Sequence, residues 1–357
     1  MGPERSRLLY LVRLPAGIFV EHAVLDTRLP LEGLPHPCML VMPGPPQDYD
    51  EFHRRLTRPS LDDSARALDW FEDTGGNDDD LDRYWGWAPA VDLRQREVIS
   101  AHVHRVVVVV SVDGEPAEDD ARAKHSDQIG LGIDYWVDAV GQWLEVLVGL
   151  DLGRQEVQSG FRPRYVYPLP LVDSCDGRWR SYPTMTQGPT VHHTSPNATL
   201  MQWELAVGMT NADESPPEEH LLLRDSRAAW LRDDRRKALI DAVTAVEVAL
   251  ATDIQRSLGA DADAGAVRRV LKNVSGVVEL HDLAVALGAT ISVSRARLVD
   301  RLAARRNAAV HRGVAPTAVE LSEALRTADS VVRAVSPLDG ATDPWPLGSV
   351  SSQLTAR

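Results

Sequence analysis

The sequence predicts two domains: an α+β N-terminal domain followed by an all-α helical bundle. Short apolar segments rich in β-branched residues, separated by Gly and Pro, fill most of the first part of the chain. After a polar segment that contains Pro216 and Pro217, apolar residues instead recur every three or four positions, the period of an α-helix. We therefore expect a mixed domain over 1–210, a linker over 211–219, a helical bundle over 220–335 and a disordered tail over 336–357.

The N-terminal domain is expected to be built around one central strand. The run Val106–Val110 has no polar alternation, which is typical of a strand buried on both faces. Apolar residues spaced by three and four predict an amphipathic helix over 129–150. The remaining expected elements are strands over 8–12, 18–20, 40–42, 165–172 and 200–209, and a partly helical segment over 47–72.

The helical bundle is expected to contain five helices. Gly259, Gly288 and Gly313 follow three of the periodic segments, and glycine commonly ends a helix. Thr317 and Glu320 have the spacing of a capping box, which opens a helix. The expected helices cover 220–231, 234–258, 264–287 and 294–311, and a fifth begins at Thr317. In the second of them, apolar positions from Leu239 to Ile254 are expected to face the core.

The charge of the chain restricts where nucleic acid could bind. The protein has 38 basic and 52 acidic residues, a formal net charge of −14. An acidic protein is a poor general binder of nucleic acid, because Lys and Arg must approach the phosphates. Residues 220–335, however, contain 18 basic and 14 acidic residues. Any nucleic-acid chemistry is therefore expected in the bundle.

The sequence also predicts where in the cell the protein is located. No stretch of 18 apolar residues is present, so no transmembrane helix and no membrane partner are expected. The first residues lack the basic, apolar and small-residue pattern of a signal peptide. Cys38 and Cys175 are too few and too far apart for a disulfide scaffold or a zinc site. We expect a cytoplasmic protein.

One short motif in the bundle contains side chains of types that are used in catalysis, Arg306-Asn307-Ala308-Ala309-Val310-His311. By its spacing Arg306 shares a helix face with Val299, Ala303 and Val310, so it interrupts an apolar stripe. A buried guanidinium needs a partner, a cleft or a subunit boundary. Asn307 and His311 are neighbours at i and i+4.

These three polar side chains suit phosphodiester chemistry without a metal. Histidine transfers protons near neutral pH, and arginine offers a fixed fork of donors to phosphate oxygens. His311 could move protons, Arg306 could stabilise developing charge and Asn307 could orient a hydroxyl or the imidazole. The simpler interpretation is structural, because arginines are common at helix ends and a histidine there complements the helix dipole.

The motif and its surroundings resemble the HEPN superfamily of nucleotide-binding helical domains. Nuclease members carry Arg, a polar residue, three further residues and His, as in 306–311, on the penultimate helix, and segments 221–229 and 238–250 are similar to the leading helices of bacterial members. The resemblance implies a homodimer in which both motifs face one cleft and cleave RNA without a cofactor. Gly313 stands where antitoxin-paired members often carry Tyr.

Glu247 is a further candidate in the bundle. It lies within the apolar run 238–251 and could reach the same cleft as an auxiliary acid. The alternative is a solvated or salt-bridged position on a helix surface, which is the commoner situation for a glutamate.

The N-terminal domain contains weaker patterns. His102 and His104 alternate on one strand face and could begin a metal site with His125 or Asp127, but spacing fixes no third ligand, so no metal is expected. Trp85 and Trp87 could stack on a base, although tryptophans more often pack in a core. No cofactor-binding pattern is present.

The leading hypothesis is a metal-independent endoribonuclease of stress response or defence, with catalytic residues Arg306, His311, Asn307 and Glu247 and with the N-terminal domain as sensor or restraint. The first alternative is a non-catalytic HEPN module that dimerises and binds a nucleotide or a partner. A third class, an N-terminal enzyme with a helical dimerisation appendix, has no motif to support it.

Overall fold

The fold comes from a computed structural model, and the chain divides into two compact units, Met1–Ser215 and Pro216–Arg357. The residues that the structure describes are 5–47, 54–61, 85–92, 97–113, 119–149, 166–168, 197–259, 264–274 and 276–341.

The first unit is built on an antiparallel six-stranded sheet. The strands are β1 (Arg5–Val20), β2 (Arg28–Leu31), β3 (Cys38–Val41), β4 (Gly86–Asp92), β5 (Glu97–Asp113) and β6 (Val166–Pro168). The order is β2-β3-β5-β1-β6, with β4 paired to β5. Strand β5 therefore lies at the centre, with β1 along one edge and both β3 and β4 along the other.

The predicted central strand is confirmed. Val107, Val108 and Val110 on β5 have no accessible surface, because the strand is covered on both faces. The two strands predicted near the N-terminus form one long strand, β1, whose pairing with β5 shifts register between Arg13 and Ile18. Gly17, with a φ of +64°, provides the left-handed backbone conformation at this irregularity.

Two helices accompany the sheet. Helix α1 (Asp119–Val148) confirms the predicted amphipathic helix, and Tyr10 on β1 donates a hydrogen bond to the carbonyl oxygen of Ser126 on α1 at 2.9 Å. The strand predicted over 200–209 is wrong, because Leu200–Asn211 forms helix α2. Thr199 and Gln202 make a capping box at its start, with the Gln202 amide donating to the Thr199 hydroxyl at 3.2 Å.

Some predictions for the first unit are only partly covered by the structure. In the segment predicted to be partly helical, residues 54–61 contain isolated bridges at Arg55 and Thr57 and no helix. The rest of that segment, apart from its first residue, lies outside the described residues, as do the acidic loop 74–80, His192, His193 and Cys175.

The second unit contains helices and, among its described residues, no strand. The predicted helix over 264–287 is divided in two, because Gly276 adopts a φ of +92° that interrupts it. The helices are α3 (Glu218–Leu231), α4 (Arg235–Leu258), α5 (Ala264–Asn273), α6 (Val277–Ala286), α7 (Arg295–Leu298), α8 (Ala304–Arg312) and α9 (Ala318–Val335), with a π-helical turn (Val299–Ala303) that joins α7 to α8.

Helix α4 is the central element of the second unit. It packs against α3, α6, α8 and α9. Its predicted core positions are confirmed, since Leu239, Leu250 and Ile254 have no accessible surface. Burying such side chains contributes roughly 1.5–3 kcal/mol each, so α4 carries much of the stability of the unit.

The described part of the chain includes no helix that is both long enough and apolar enough to span a bilayer.

Candidate functional site

The predicted motif lies on a continuous helix, here called the motif helix, that comprises α7, the π turn and α8. Ser294 caps its start by accepting a hydrogen bond from the amide of Arg297 at 3.3 Å. Gly313, with a φ of +68°, ends it in the left-handed conformation. The predicted boundaries are confirmed, but no sequence pattern indicated the π turn.

The π turn decides which residues of the motif helix face the core. Leu298, Leu302 and Ala309 have no accessible surface, whereas Val299 is 38% exposed. The predicted stripe of Val299, Ala303, Arg306 and Val310 is therefore wrong at Val299. The other three members are half-buried.

Simple helix geometry explains how Arg306 reaches this face. Counted from Leu298, a regular α-helix would place Arg306 about 80° away from the inward direction. A π turn accommodates one additional residue, which returns Arg306 to within about 20° of that direction. The arginine is half-buried there, on the side of the motif helix that packs on α4.

Glu247 on α4 carries the carboxylate whose charge interacts with that of Arg306. Burial raises the pKa of the Glu247 carboxyl above its ordinary value, and the nearby charge of Arg306 acts in the opposite direction. Glu247 is half-buried, so the interaction is less screened by water than a surface pair would be. Of the four predicted site residues, these two therefore lie close enough for their charges to interact.

The two neighbouring arginines of the motif helix are held differently. Arg305 donates to the carbonyl oxygen of Glu320 at 2.6 Å and to the Glu323 carboxylate at 3.4 Å, both on α9. Arg301 also pairs with Glu323, and with Asp300 at 3.1 Å. Within the described residues Arg306 makes no such hydrogen bond or ion pair.

Asn307 and His311 lie on the exposed side of α8. Their i, i+4 spacing places them side by side, as expected. Arg306 and His311 are about 140° apart around the helix axis, and among the described residues no hydrogen bond joins them. One copy of the chain therefore presents Arg306 with Glu247 on one side of α8 and Asn307 with His311 on another.

The histidines considered as metal ligands in the first unit contact other aromatic rings. The His102 ring stacks on Phe19 with a centroid separation of 4.4 Å and lies 4.4 Å from the His104 ring. His125 instead contacts His36, with ring centroids 5.3 Å apart. No group of three His, Cys, Asp or Glu side chains suited to a metal occurs among the described residues.

The two tryptophans considered as base-stacking platforms are also placed by the fold. Trp85 is 3% exposed and belongs to the core. Trp87 is half-buried on β4 with its ring 5.9 Å from His102. Trp85 is therefore a core residue, which was the alternative to base stacking, and it offers no open face for a base.

A buried polar cluster, which no sequence pattern marked, joins the ends of α3 and α9. His220 donates to the carbonyl oxygen of Ser336 at 2.8 Å, and the Ser336 hydroxyl donates to Glu219 at 2.7 Å. Burial lowers the pKa of His220 below its ordinary value, although the hydrogen bond to Ser336 and the carboxylates of Glu219 and Asp329 oppose the shift. This cluster fixes the start of the bundle to its end.

Comparison of the chain with protein-family models, with curated proteins and with solved structures finds no match.

Proposed function

We propose that the second unit is a HEPN-like bundle that acts as a metal-independent endoribonuclease, with Arg306 and His311 as its principal catalytic residues. The observation that carries the proposal is the state of Arg306. It is half-buried near the charge of Glu247 and makes no hydrogen bond or ion pair with the described residues, whereas Arg301 and Arg305 are bound to α9. Holding a guanidinium in this way is costly for a purely structural residue and useful for one that binds phosphate.

The proposed reaction uses the 2′-hydroxyl of RNA as the nucleophile. His311 takes its proton as the 2′-oxygen attacks the adjacent phosphorus, while Arg306 stabilises the charge that develops on the phosphate oxygens. The bond from phosphorus to the 5′-oxygen breaks, and that oxygen leaves as a hydroxyl after the protonated His311 returns the proton to it, directly or through water. The products end in a 2′,3′-cyclic phosphate and a 5′-hydroxyl. Asn307 orients the imidazole or the substrate, and Glu247 positions Arg306.

We propose that the active form is a homodimer through the bundle. Arg306 and His311 of one chain are about 140° apart around α8, too far to converge closely on one phosphate. A two-fold axis beside α8 brings two copies of the motif to one cleft, where residues from both chains complete the site.

The second candidate function is a non-catalytic module that dimerises and binds a nucleotide or a partner. The electrostatic interaction between Arg306 and Glu247 favours it, because opposite charges near each other where two helices pack also have a structural explanation. The two candidates differ in whether His311 is needed for a chemical step.

The test is cleavage of single-stranded RNA by the purified protein in the presence of EDTA. We expect cyclic-phosphate ends, and we expect His311→Ala to abolish cleavage without loss of folding, since His311 is exposed at a helix end. Arg312→Ala is the matched control, because Arg312 is an exposed basic residue beside His311 and outside the proposed machinery. A substrate with 2′-deoxyribose at the scissile position should resist cleavage.

Undiminished cleavage by His311→Ala would show that the catalytic residues are wrongly assigned. Loss of cleavage on chelation would contradict the metal-independent mechanism. Absence of cleavage by the full chain and by the isolated second unit would favour the binding module.

A further inference from the structure

The π turn Val299–Ala303 lies directly before the motif, where it interrupts an otherwise α-helical segment. We propose that this turn is the positioning element of the candidate site, turning Arg306 toward Glu247 on α4 while Arg305 remains bound to α9. Its catalytic meaning rests on the proposed ribonuclease function, but its geometry does not.

The directions of residues on the two sides of the turn support this role. Leu298 before it and Ala309 after it have no accessible surface. They are eleven residues apart. In a regular α-helix this spacing would place the two side chains about 20° apart around the axis, and the additional residue of the π turn increases the separation to about 80°. The π turn packs against α4, α6 and α9, and Arg301 and Arg305 bind α9. Counted from Leu298, the additional residue therefore turns Ala309 toward the side of these two arginines and returns Arg306 close to the direction of Leu298.

A regular helix would reverse the roles of two adjacent arginines. Counted from Leu298 without an additional residue, Arg305 is the seventh position and would point inward at Glu247. Arg306 would then occupy the direction in which Asn307 now lies. The π turn thus selects which arginine meets the carboxylate, and π turns inside α-helices are frequent at functional sites.

Helix α9 holds the turn in place. Arg301 lies within the turn and Arg305 follows it closely, and both bind Glu323. Arg305 also donates to the carbonyl oxygen of Glu320, at the start of α9. These contacts fix the turn from the side opposite Asn307 and His311.

The experiment exploits a property that separates a π turn from a regular helix. Deleting one residue from a regular helix rotates everything after it by about 100°. Deleting one residue from a π turn leaves a regular α-helix whose flanks keep their directions. Asp300 is suitable because its side chain is 67% exposed and its ion pair is with the adjacent Arg301.

We compare a variant of the full chain that lacks Asp300 with Asp300→Ala, which removes the same side chain without changing the length. The expected unfolding midpoints differ by no more than about 4 °C. The matched control lacks Arg326, an exposed residue in the regular helix α9, whose deletion turns buried Ala328 and Val332 away from the core. That control should lose at least about 10 °C or fail to fold.

A second measurement reports the direction of Arg306. The pKa of Glu247, followed by NMR of a 13C-labelled carboxyl, should rise when Arg306 is replaced by Leu, both in the full-length chain and in the variant that lacks Asp300. Replacement of Arg305 by Leu should move it much less. A larger response to Arg305 than to Arg306, or unfolding caused by the deletion of Asp300 but not by Asp300→Ala, would overturn the proposal.

These two readouts do not involve RNA. A protein that cleaves no RNA but behaves as expected in both would refute the proposed function and leave the positioning role intact. If the chain does cleave RNA, the variant that lacks Asp300 should retain most of the activity of Asp300→Ala, because Arg306 keeps its direction.

Discussion

At the scale of single residues, environment rather than sequence distinguishes the arginines of the motif helix. Arg301, Arg305 and Arg306 are chemically identical and lie within six positions, yet two of them hold α9 and the third faces Glu247. The motif predicted Arg306 as a site residue. Spacing alone could not predict that Glu247, about 60 positions earlier, would be its neighbour, because that contact depends on how α8 packs on α4.

Replacing Arg306 by Lys tests whether the fork of donors matters. We expect Arg306→Lys to reduce the rate of RNA cleavage nearly as far as Arg306→Ala, by roughly 10²-fold or more, because a point charge cannot replace two parallel hydrogen bonds to phosphate. Asn307→Ala should cost less, since an orienting group contributes less than a charge clamp. Initial rates on one RNA substrate provide the measurement.

The control for this substitution is Arg305→Lys. Arg305 binds Glu320 and Glu323 through its guanidinium, so its replacement should lower the unfolding midpoint and reduce the rate of the folded protein much less than Arg306→Lys does. Equal losses of rate at both positions would indicate that the arginines act through the stability of the motif helix.

At the scale of elements, the sequence predicted those helices that have both clear periodicity and clear end signals. Helix α4 and helix α9 were predicted closely, because Gly259 and the Thr317 capping box mark boundaries that the structure retains. Helix α2 was mistaken for a strand. Its sequence is apolar on nearly every side, so periodicity could not separate the two states, although Thr199 and Gln202 already had the spacing of a capping box.

Two local departures explain the remaining errors in the bundle. Gly276 lies within a periodic segment, and its positive φ divides the segment into α5 and α6. The π turn leaves no mark on apolar spacing that a 3.6-residue period can detect, so Val299 was assigned to the wrong face. Both are decided by tertiary packing, which single-residue preferences do not record.

The cluster at the ends of α3 and α9 makes the stability of the bundle depend on pH. Burial holds the pKa of His220 below its ordinary value. As pH falls through about 6.5, the unfolded chain therefore binds a proton at this histidine, whereas the folded chain binds it only at lower pH. This contribution to stability is therefore present above about pH 6.5 and is lost at lower pH, down to the lowered pKa of the folded state. His220→Gln, which keeps a donor for Ser336, should remove that dependence.

Thermal unfolding at pH 7.5 and 5.5 measures the effect. The midpoint of the wild type should fall more between these two values than that of His220→Gln. His311→Ala is the control, because the exposed His311 belongs to no buried cluster and its loss should leave the wild-type dependence unchanged. If the midpoint of His220→Gln falls as much as that of the wild type, groups other than His220 cause the acid sensitivity.

At the scale of the whole molecule, the two units differ in charge as well as in architecture. Residues 1–219 contain 19 basic and 36 acidic residues, whereas residues 220–335 carry more basic than acidic ones. An acidic unit on the same chain repels RNA over roughly the Debye length, about 8 Å at physiological salt. This asymmetry supports the hypothesis that the first unit restrains the second until a signal removes the restraint.

The second unit alone, residues 216–357, provides the test of both restraint and assembly. It has its own apolar core around α4, so we expect it to fold and to be a dimer by light scattering at micromolar concentration. Its cleavage of RNA should be faster than that of the full chain, and the difference should shrink at high salt because screening weakens the repulsion by the acidic unit. A strictly monomeric unit would contradict the composite site. Equal rates for unit and full chain would reject the restraint while leaving the nuclease proposal in place, and His311→Ala in the isolated unit distinguishes this activity from a contaminating ribonuclease.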